Sequence, residues 1–230
     1  MTSRHLVAIC FHLGYIDRFE EFTPYIDNVL KICPNADIYI SYRENVDPTL
    51  MITLKYPQAH IMKATRGCDT GAFLLQIDAL LRSNKNYDYV FKIHTKSNNL
   101  IFNDWINQLL EKTAGSSKNV SKVIKLFDKD PNIGMIGGKR WILTRKINFQ
   151  YFYDICQRCN IRTNGHFVGG TIFWIRFSIL KKCFDPSRIH IEQEYSLCEY
   201  GKPSEPSYTH AWERIFGLLV STEGYQIKGV

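Results

Sequence analysis

Apolar and polar positions follow two periods along the first half of the chain, and the periods take turns. "HLVAICF" (5–11), "ADIYISY" (36–42) and "AHIMKAT" (59–65) are short runs rich in branched and aromatic residues, which predicts strands. Between them "IDRFEEFTPYIDNVLKI" (16–32) predicts a helix and "PTLMITLKYP" (48–57) a shorter one. "DTGAFLLQIDALLRS" (69–83) sets Phe73, Leu74, Ile77, Leu80 and Leu81 on one helical face, with Asp69 at the N-cap position and Gly71 in the first turn. "YDYVFKIHTKS" (87–97) is a strand through Tyr89, Val90, Phe91 and Ile93 that runs without a break into His94, Thr95 and Lys96. A helix follows in "NNLIFNDWINQLLEKTAG", where Ile101, Trp105 and Leu109 align. Alternation of this kind predicts an α/β domain whose central sheet is mostly parallel and flanked by helices. Ligands of such sheets gather beyond the carboxyl ends of the strands, which is where His94, Thr95 and Lys96 lie.

The second half is less regular. "SKVIKLFDKDPNIGMIGG" reads as helix, turn and short strand, and "HFVGGTIFWIRFSIL" (166–180) as a strand entered through a Gly-Gly pair. "THAWERIFGLLVSTEGY" (209–225) is a final helix with Trp212, Ile215, Phe216, Leu219 and Val220 on its apolar face. Its other side presents His210, Arg214 and Gly217, with Glu213 at the border, either as a solvated face or as a working one.

No repeat, low-complexity segment or domain-separating linker interrupts residues 1–230, which predicts one domain. No apolar run reaches the ~18–20 residues of a membrane span, and "LVAICFHLGY" continues into a helix without a small-residue cleavage site. Seven scattered cysteines suit a reducing, cytoplasmic setting. Cys156-x-x-Cys159 has no second pair at zinc spacing and reads as two thiols on a helix face. The net charge of +7 would suit nucleic acid, anionic membranes or phosphate-bearing molecules alike. Without a run of five or six basic residues, a nucleic-acid arm is not supported.

The chain has no phosphate-binding G-x-x-x-x-G-K-[ST] loop, no G-x-G-x-x-G after its first strand, and no H-E-x-x-H or G-x-S-x-G. "RGCDTGAF" (66–73) does place Arg66 and Asp69 at a helix start, where Asp69 is either an N-cap or an acceptor for ribose or sugar hydroxyls. "VGGTIFW" (168–174) has no side-chain bulk at Gly169 and Gly170, which suits either a bulge or the close approach of a ligand.

In their order and spacing, "YDYVFKIHTKS", "RGCDTGAF", "VGGTIFWIR" and "HAWERIFG" resemble the rhamnan synthesis protein F family from about His5 to Tyr225. Its members are glycosyltransferase-like proteins of bacterial and large-virus polysaccharide assembly. The resemblance implies a GT-A-like, Rossmann-like fold with a nucleoside-diphosphate sugar, UDP- or dTDP-linked, across the first half of the sheet and a glycan acceptor beside it. Where that fold usually carries a metal-binding Asp-x-Asp, this chain has His94-Thr95-Lys96. No cofactor is therefore expected, and His94, Thr95 and Lys96 are expected to meet the diphosphate. A competing reading keeps manganese or magnesium, with His94 and a distant carboxylate as ligands. The resemblance further implies Glu213 as the base, with His210 as second candidate and Glu192 and Glu194 as reserves. Phe11, His12, Tyr15, Arg66 and Asp69 would contact the nucleotide, and Gly169, Gly170 and Thr171 the sugars. The implied reaction is an inverting hexosyl transfer, with rhamnose suggested by the family label; the alternative is a sugar-binding module without catalysis.

Overall fold

In a computed structural model the chain folds around one seven-stranded sheet of order β3-β2-β1-β4-β8-β5-β9. The structure describes residues 4–43, 47–97, 100–144 and 150–230, excepting the side chains of 100–103 and 105. The first half is β1 (Val7–Leu13), α1 (Phe19–Ile32), β2 (Asp37–Tyr42), α2 (Thr49–Lys55), β3 (His60–Lys63), α3 (Cys68–Arg82) and β4 (Tyr89–His94). Then come α4 (Leu100–Leu110), α5 (Ser117–Lys129), β5 (Ile133–Gly137), β6 (Ile142–Leu143), α6 (Gln150–Arg158) and β7 (Phe167–Val168). The chain closes with β8 (Phe173–Arg176), α7 (Phe177–Cys183), α8 (Ile191–Leu197), α9 (Tyr208–Thr222) and β9 (Gln226–Gly229).

β1 and β4 are buried along their whole length, as strands covered by helices on both faces must be. They pair in parallel with Cys10 opposite Lys92, Phe11 opposite Ile93 and His12 opposite His94. Successive side chains leave a strand on opposite faces. Phe11 stacks on Phe19 and Phe22 of α1, whereas Lys92 lies 5.6 Å from the Phe73 ring of α3, so α1 and α3 cover opposite faces. Because β2 and β3 lie on one side of β1 and β4 on the other, the chain reverses its direction of build between β1 and β4. A crevice opens at the carboxyl edge of such a reversal.

β8 is antiparallel to both β4 and β5, so its amino-terminal end arrives at the edge where the other strands finish. The 166–180 segment is thus two strands separated by a turn, followed by a helix, rather than the one strand its pattern predicts. Two left-handed residues explain the break: Gly170 has φ +80 and Thr171 φ +52, backbone that no strand continues through. At α3 the N-cap lies two residues earlier than expected. Gly67, at φ +69, occupies the cap, and Asp69 falls inside the first turn with its side chain free of capping duty. Gly71 is needed for close packing rather than looseness, since a Cβ there would strike the Arg66 carbonyl.

α9 carries Trp212, Ile215, Phe216 and Leu219 into the core as its period predicts. Its other side is not solvated, because Arg214 and Gly217 are buried too, the glycine against Phe167 of β7. Ser207 caps α9 by accepting from the His210 N–H, and Thr70 Oγ1 donates to the Thr209 carbonyl, which locks the starts of α3 and α9 together. All seven cysteines are free, with Cys156 and Cys159 buried at the end of α6. Leu109 is buried as expected, while Ile101 and Trp105 lie outside the described side chains. No helix among the described residues is long and apolar enough to cross a membrane.

Candidate active site

The carboxyl ends of β1 and β4, the starts of α3 and α9 and the turn before β8 enclose an open cleft of about 190 Å³. Its floor is a set of matched polar groups. Lys92, only 1% exposed, donates to Asp69 Oδ2 at 3.0 Å and to the Thr171 carbonyl at 2.8 Å. Thr171 Oγ1 donates to the same Asp69 oxygen in a short hydrogen bond. Burial alone would raise the Asp69 carboxyl, but the Lys92 and Lys96 ammonium groups and the Thr171 hydroxyl outweigh it and hold the group well below the usual range. Burial lowers the Lys92 ammonium, and Asp69 opposes that loss.

His94 completes the floor. Its Nε2 is 2.8 Å from the Gly170 carbonyl, and its Nδ1 is 3.2 Å from the Thr95 carbonyl. The shorter contact places the ring proton on Nε2. Burial pushes this imidazole down to about 3, with Asp69 opposing and Lys96 and Lys92 reinforcing, so it is neutral at ordinary pH. His94 therefore brings no positive charge to a diphosphate, which corrects the role its position suggested. His12 beside it is lowered by burial to about 4 and pairs with Ser41 Oγ at 3.1 Å. Ser41 in turn accepts from Gln76.

The rim is different in kind. Arg43, Lys96 and Lys202 all line the cleft. Arg43 and Lys202 make no hydrogen bond or ion pair among the described residues. The loop bearing Lys96 is fixed by its backbone, since buried Arg18 donates to the carbonyls of Lys96 and Ser97 at 2.7 and 3.0 Å. Thr95 is buried, and its Oγ1 accepts from the Tyr15 N–H at 2.8 Å, joining the loops after β1 and β4. The charges of Lys92 and Asp69 cancel, as do those of Arg214 and Glu213, so among the described residues the lining carries a surplus of positive charge.

α9 supplies the third wall. Glu213 Oε1 accepts from the Gly170 N–H at 2.7 Å and its Oε2 from Arg214 Nη1 at 3.0 Å. His210 Nδ1 lies 2.7 Å from Ser207 Oγ, while its Nε2 has no partner among the described residues.

Of the predicted residues, the fold brings His12, Tyr15, Asp69, His94, Thr95, Lys96, Thr171, His210 and Glu213 to this one cleft. It does not bring Phe11, which is wholly buried among Phe19 and Phe22 and can stack on no base. Arg66 is also engaged elsewhere: it donates to the carbonyls of Ser196 and Cys198 and lies 3.7 Å over the Tyr200 ring. Gly169 packs against Trp141 and Leu143, and Gly170 serves through its backbone. Glu194 forms a paired contact with Arg158 at 2.9 Å, and Glu192 pairs with Arg82, so neither reaches the cleft. Arg43 and Lys202, which line the cleft, and Lys92, which is bonded beneath it, are residues that the sequence reading passed over. Lys92 left a trace, as a charge inside a buried strand that had to find a partner.

A model of the family RgpF, rhamnan synthesis protein F, matches residues 1–225. The chain belongs to the rhamnan synthesis protein F family. No curated protein matches its sequence significantly. Among solved structures it is similar to the mannosyltransferase PcManGT from Pyrobaculum calidifontis, determined in complex with GDP-Man and Mn2+. That likeness has a TM-score of 0.51 at 12% identity and covers 100% of this chain and 55% of the mannosyltransferase. This member of the rhamnan synthesis family thus has a GT-A-like glycosyltransferase fold and spans about half the length of that enzyme. A mycobacterial protein of known structure matches 76% of this chain and 54% of its own at 8% identity and a TM-score of 0.41.

The described residues of this family member offer a divalent cation no preformed cage of protein ligands. Manganese and magnesium want several oxygen ligands on one point. Among the described residues no three His, Cys, Asp or Glu side chains converge in that way. Asp69 Oδ2 is already held by an ammonium and a hydroxyl, and the His94 Nε2 proton is directed at a carbonyl.

Proposed function

We propose that the chain transfers a hexosyl group, with L-rhamnose suggested by the family description, from a UDP- or dTDP-linked donor to a glycan hydroxyl. The observation that carries this reading is the positive rim of Arg43, Lys96 and Lys202 at the sheet's reversal point, above a floor whose carboxylate, Asp69, is already taken up by Lys92 and Thr171. The donor's diphosphate lies against the rim. Unit charges ~4 Å apart attract by about 4 kcal/mol at an effective dielectric near 20, before desolvation is subtracted. Tyr15 lines the same cleft and offers a ring to the nucleobase.

Transfer needs a base on the acceptor side and stabilisation of the departing diphosphate. The acceptor oxygen attacks the anomeric carbon, the bond from that carbon to the diphosphate oxygen breaks, and the electron pair leaves with the nucleotide. The acceptor's proton passes to His210 Nε2, whose ring is held by Ser207. Glu213 takes second place as base because both of its oxygens already accept hydrogen bonds. A single displacement of this kind inverts the anomeric centre.

That same occupation of Glu213 favours the second reading, a nucleotide-sugar-binding module without turnover. Assays of released nucleotide, run with acceptor glycans and a panel of nucleotide sugars, separate the two. The transferase reading expects turnover that Glu213→Gln lowers and His210→Ala nearly abolishes. Donor binding without turnover in every combination would overturn it.

A further inference from the structure

We infer that Lys92 and Asp69 are a buried positioning pair, which fixes the Gly170–Thr171 turn and through it the acceptor wall of the cleft. The inference rests on the transferase reading for what the wall does, but not for how it is held.

Lys92 stands in the middle of β4, where β1 and β4 are otherwise almost wholly apolar. Packing there would be served as well by a leucine, since replacing a buried ion pair with apolar residues is often neutral or stabilising. The ammonium reaches the same turn by two routes. It donates directly to the Thr171 carbonyl, and it donates to Asp69, which accepts from the Thr171 hydroxyl. Thr171 needs this restraint. Its φ of +52 is unfavourable for a β-branched side chain, and such backbone persists only where its surroundings over-determine it.

The next residue back transmits the constraint. The Gly170 carbonyl accepts from His94 Nε2, and the Gly170 N–H donates to Glu213 Oε1. Four elements are joined in this way: β4 through Lys92 and His94, α3 through Asp69, the entry to β8 through Thr171, and α9 through Glu213. Thr171, Glu213 and His210 line the cleft together with Lys96 and Arg43. So engaged, Asp69 holds this turn rather than the ribose that its place at the helix start suggested, and the pair governs the acceptor wall through Thr171 and Gly170. A misplacement of about 1 Å at a reacting centre can lower a rate ~10²-fold.

The test uses Lys92→Met with Asp69→Asn, which removes both charges, beside the conservative Lys92→Arg. Lys92→Met alone strands a buried carboxylate and can fail to fold, which the double variant avoids. Positioning predicts a double variant that melts close to wild type and binds UDP or dTDP within about twofold, but turns over ~10²-fold more slowly at unchanged donor KM, with partial rescue in Lys92→Arg. A double variant with wild-type kcat overturns the inference, as does one whose nucleotide affinity falls in step with its rate. If wild type transfers no sugar at all, the transferase reading fails, and the pair is judged instead by the nitrogen-15 spectrum of His94. A slowly exchanging Nε2 proton in wild type that is lost in the double variant, with nucleotide affinity intact, supports it; an unchanged spectrum overturns it.

Discussion

The floor and the rim of the cleft hold charges of the same kinds and treat them in opposite ways. Below, Lys92, Asp69, Thr171 and His94 satisfy one another within a few ångströms and leave no charge over. Above, Arg43, Lys96 and Lys202 line one mouth on three separate loops. All three act on the Cys68 thiol, which is raised first by its burial and lowered by each of them, so their fields converge. A matched buried set specifies geometry, whereas a surplus of one sign at an opening attracts a ligand of the other. The difference assigns the floor to architecture and the rim to binding, and each half of that assignment can be broken separately.

The largest expected effect lies on the wall between them. Replacing His210 by alanine should lower turnover ~10²–10⁴-fold while leaving nucleotide affinity near wild type, read by released nucleotide and by calorimetry. Next comes the floor. Lys92→Met leaves Asp69 buried without its partner and should cost about 3–5 kcal/mol in a urea unfolding experiment. Acid attacks the same region. His12 and His94 are held neutral, so below the unfolded imidazole range of ~6.5 the unfolded chain takes up protons that the native state refuses. Stability should therefore fall as pH drops from about 6.5 towards 4, by roughly 2 kcal/mol per histidine at pH 5. His12→Gln should remove about half of that slope. Asp69, held low, keeps its contribution across this window and loses it only below ~3.9. The smallest effect on folding belongs to the rim: Arg43→Ala should change stability by no more than about 0.5 kcal/mol while weakening nucleoside-diphosphate binding severalfold.

The same contrast explains what the sequence discloses. Strands β1, β2, β3 and β4 and helices α1, α3 and α9 are legible because each buries a face whose period survives in the order of residues, and "HTK" falls at the sheet edge by that logic alone. The broken 166–180 segment is not, because a positive φ at Thr171 is set by neighbours distant in sequence. Short elements such as α8 and β9 have too few turns or pairs to show a period. Phe11 could not be told from a stacking ring, since aromatic residues serve cores and ligands alike. Lys92 was visible but unexplained, because its partner Asp69 lies 23 positions away on another element. Arg43 and Lys202 leave no pattern at all; they sit on loops whose convergence only the fold creates.

Calorimetric titration of UDP or dTDP in the presence of a strong chelator tests the central claim most directly, with wild type and Lys96→Ala compared side by side. A rim that neutralises the diphosphate itself predicts binding that survives the chelator, is unaltered by added manganese and weakens about tenfold or more in the variant. Binding that appears only when manganese is restored, or that Lys96→Ala leaves untouched, would contradict it.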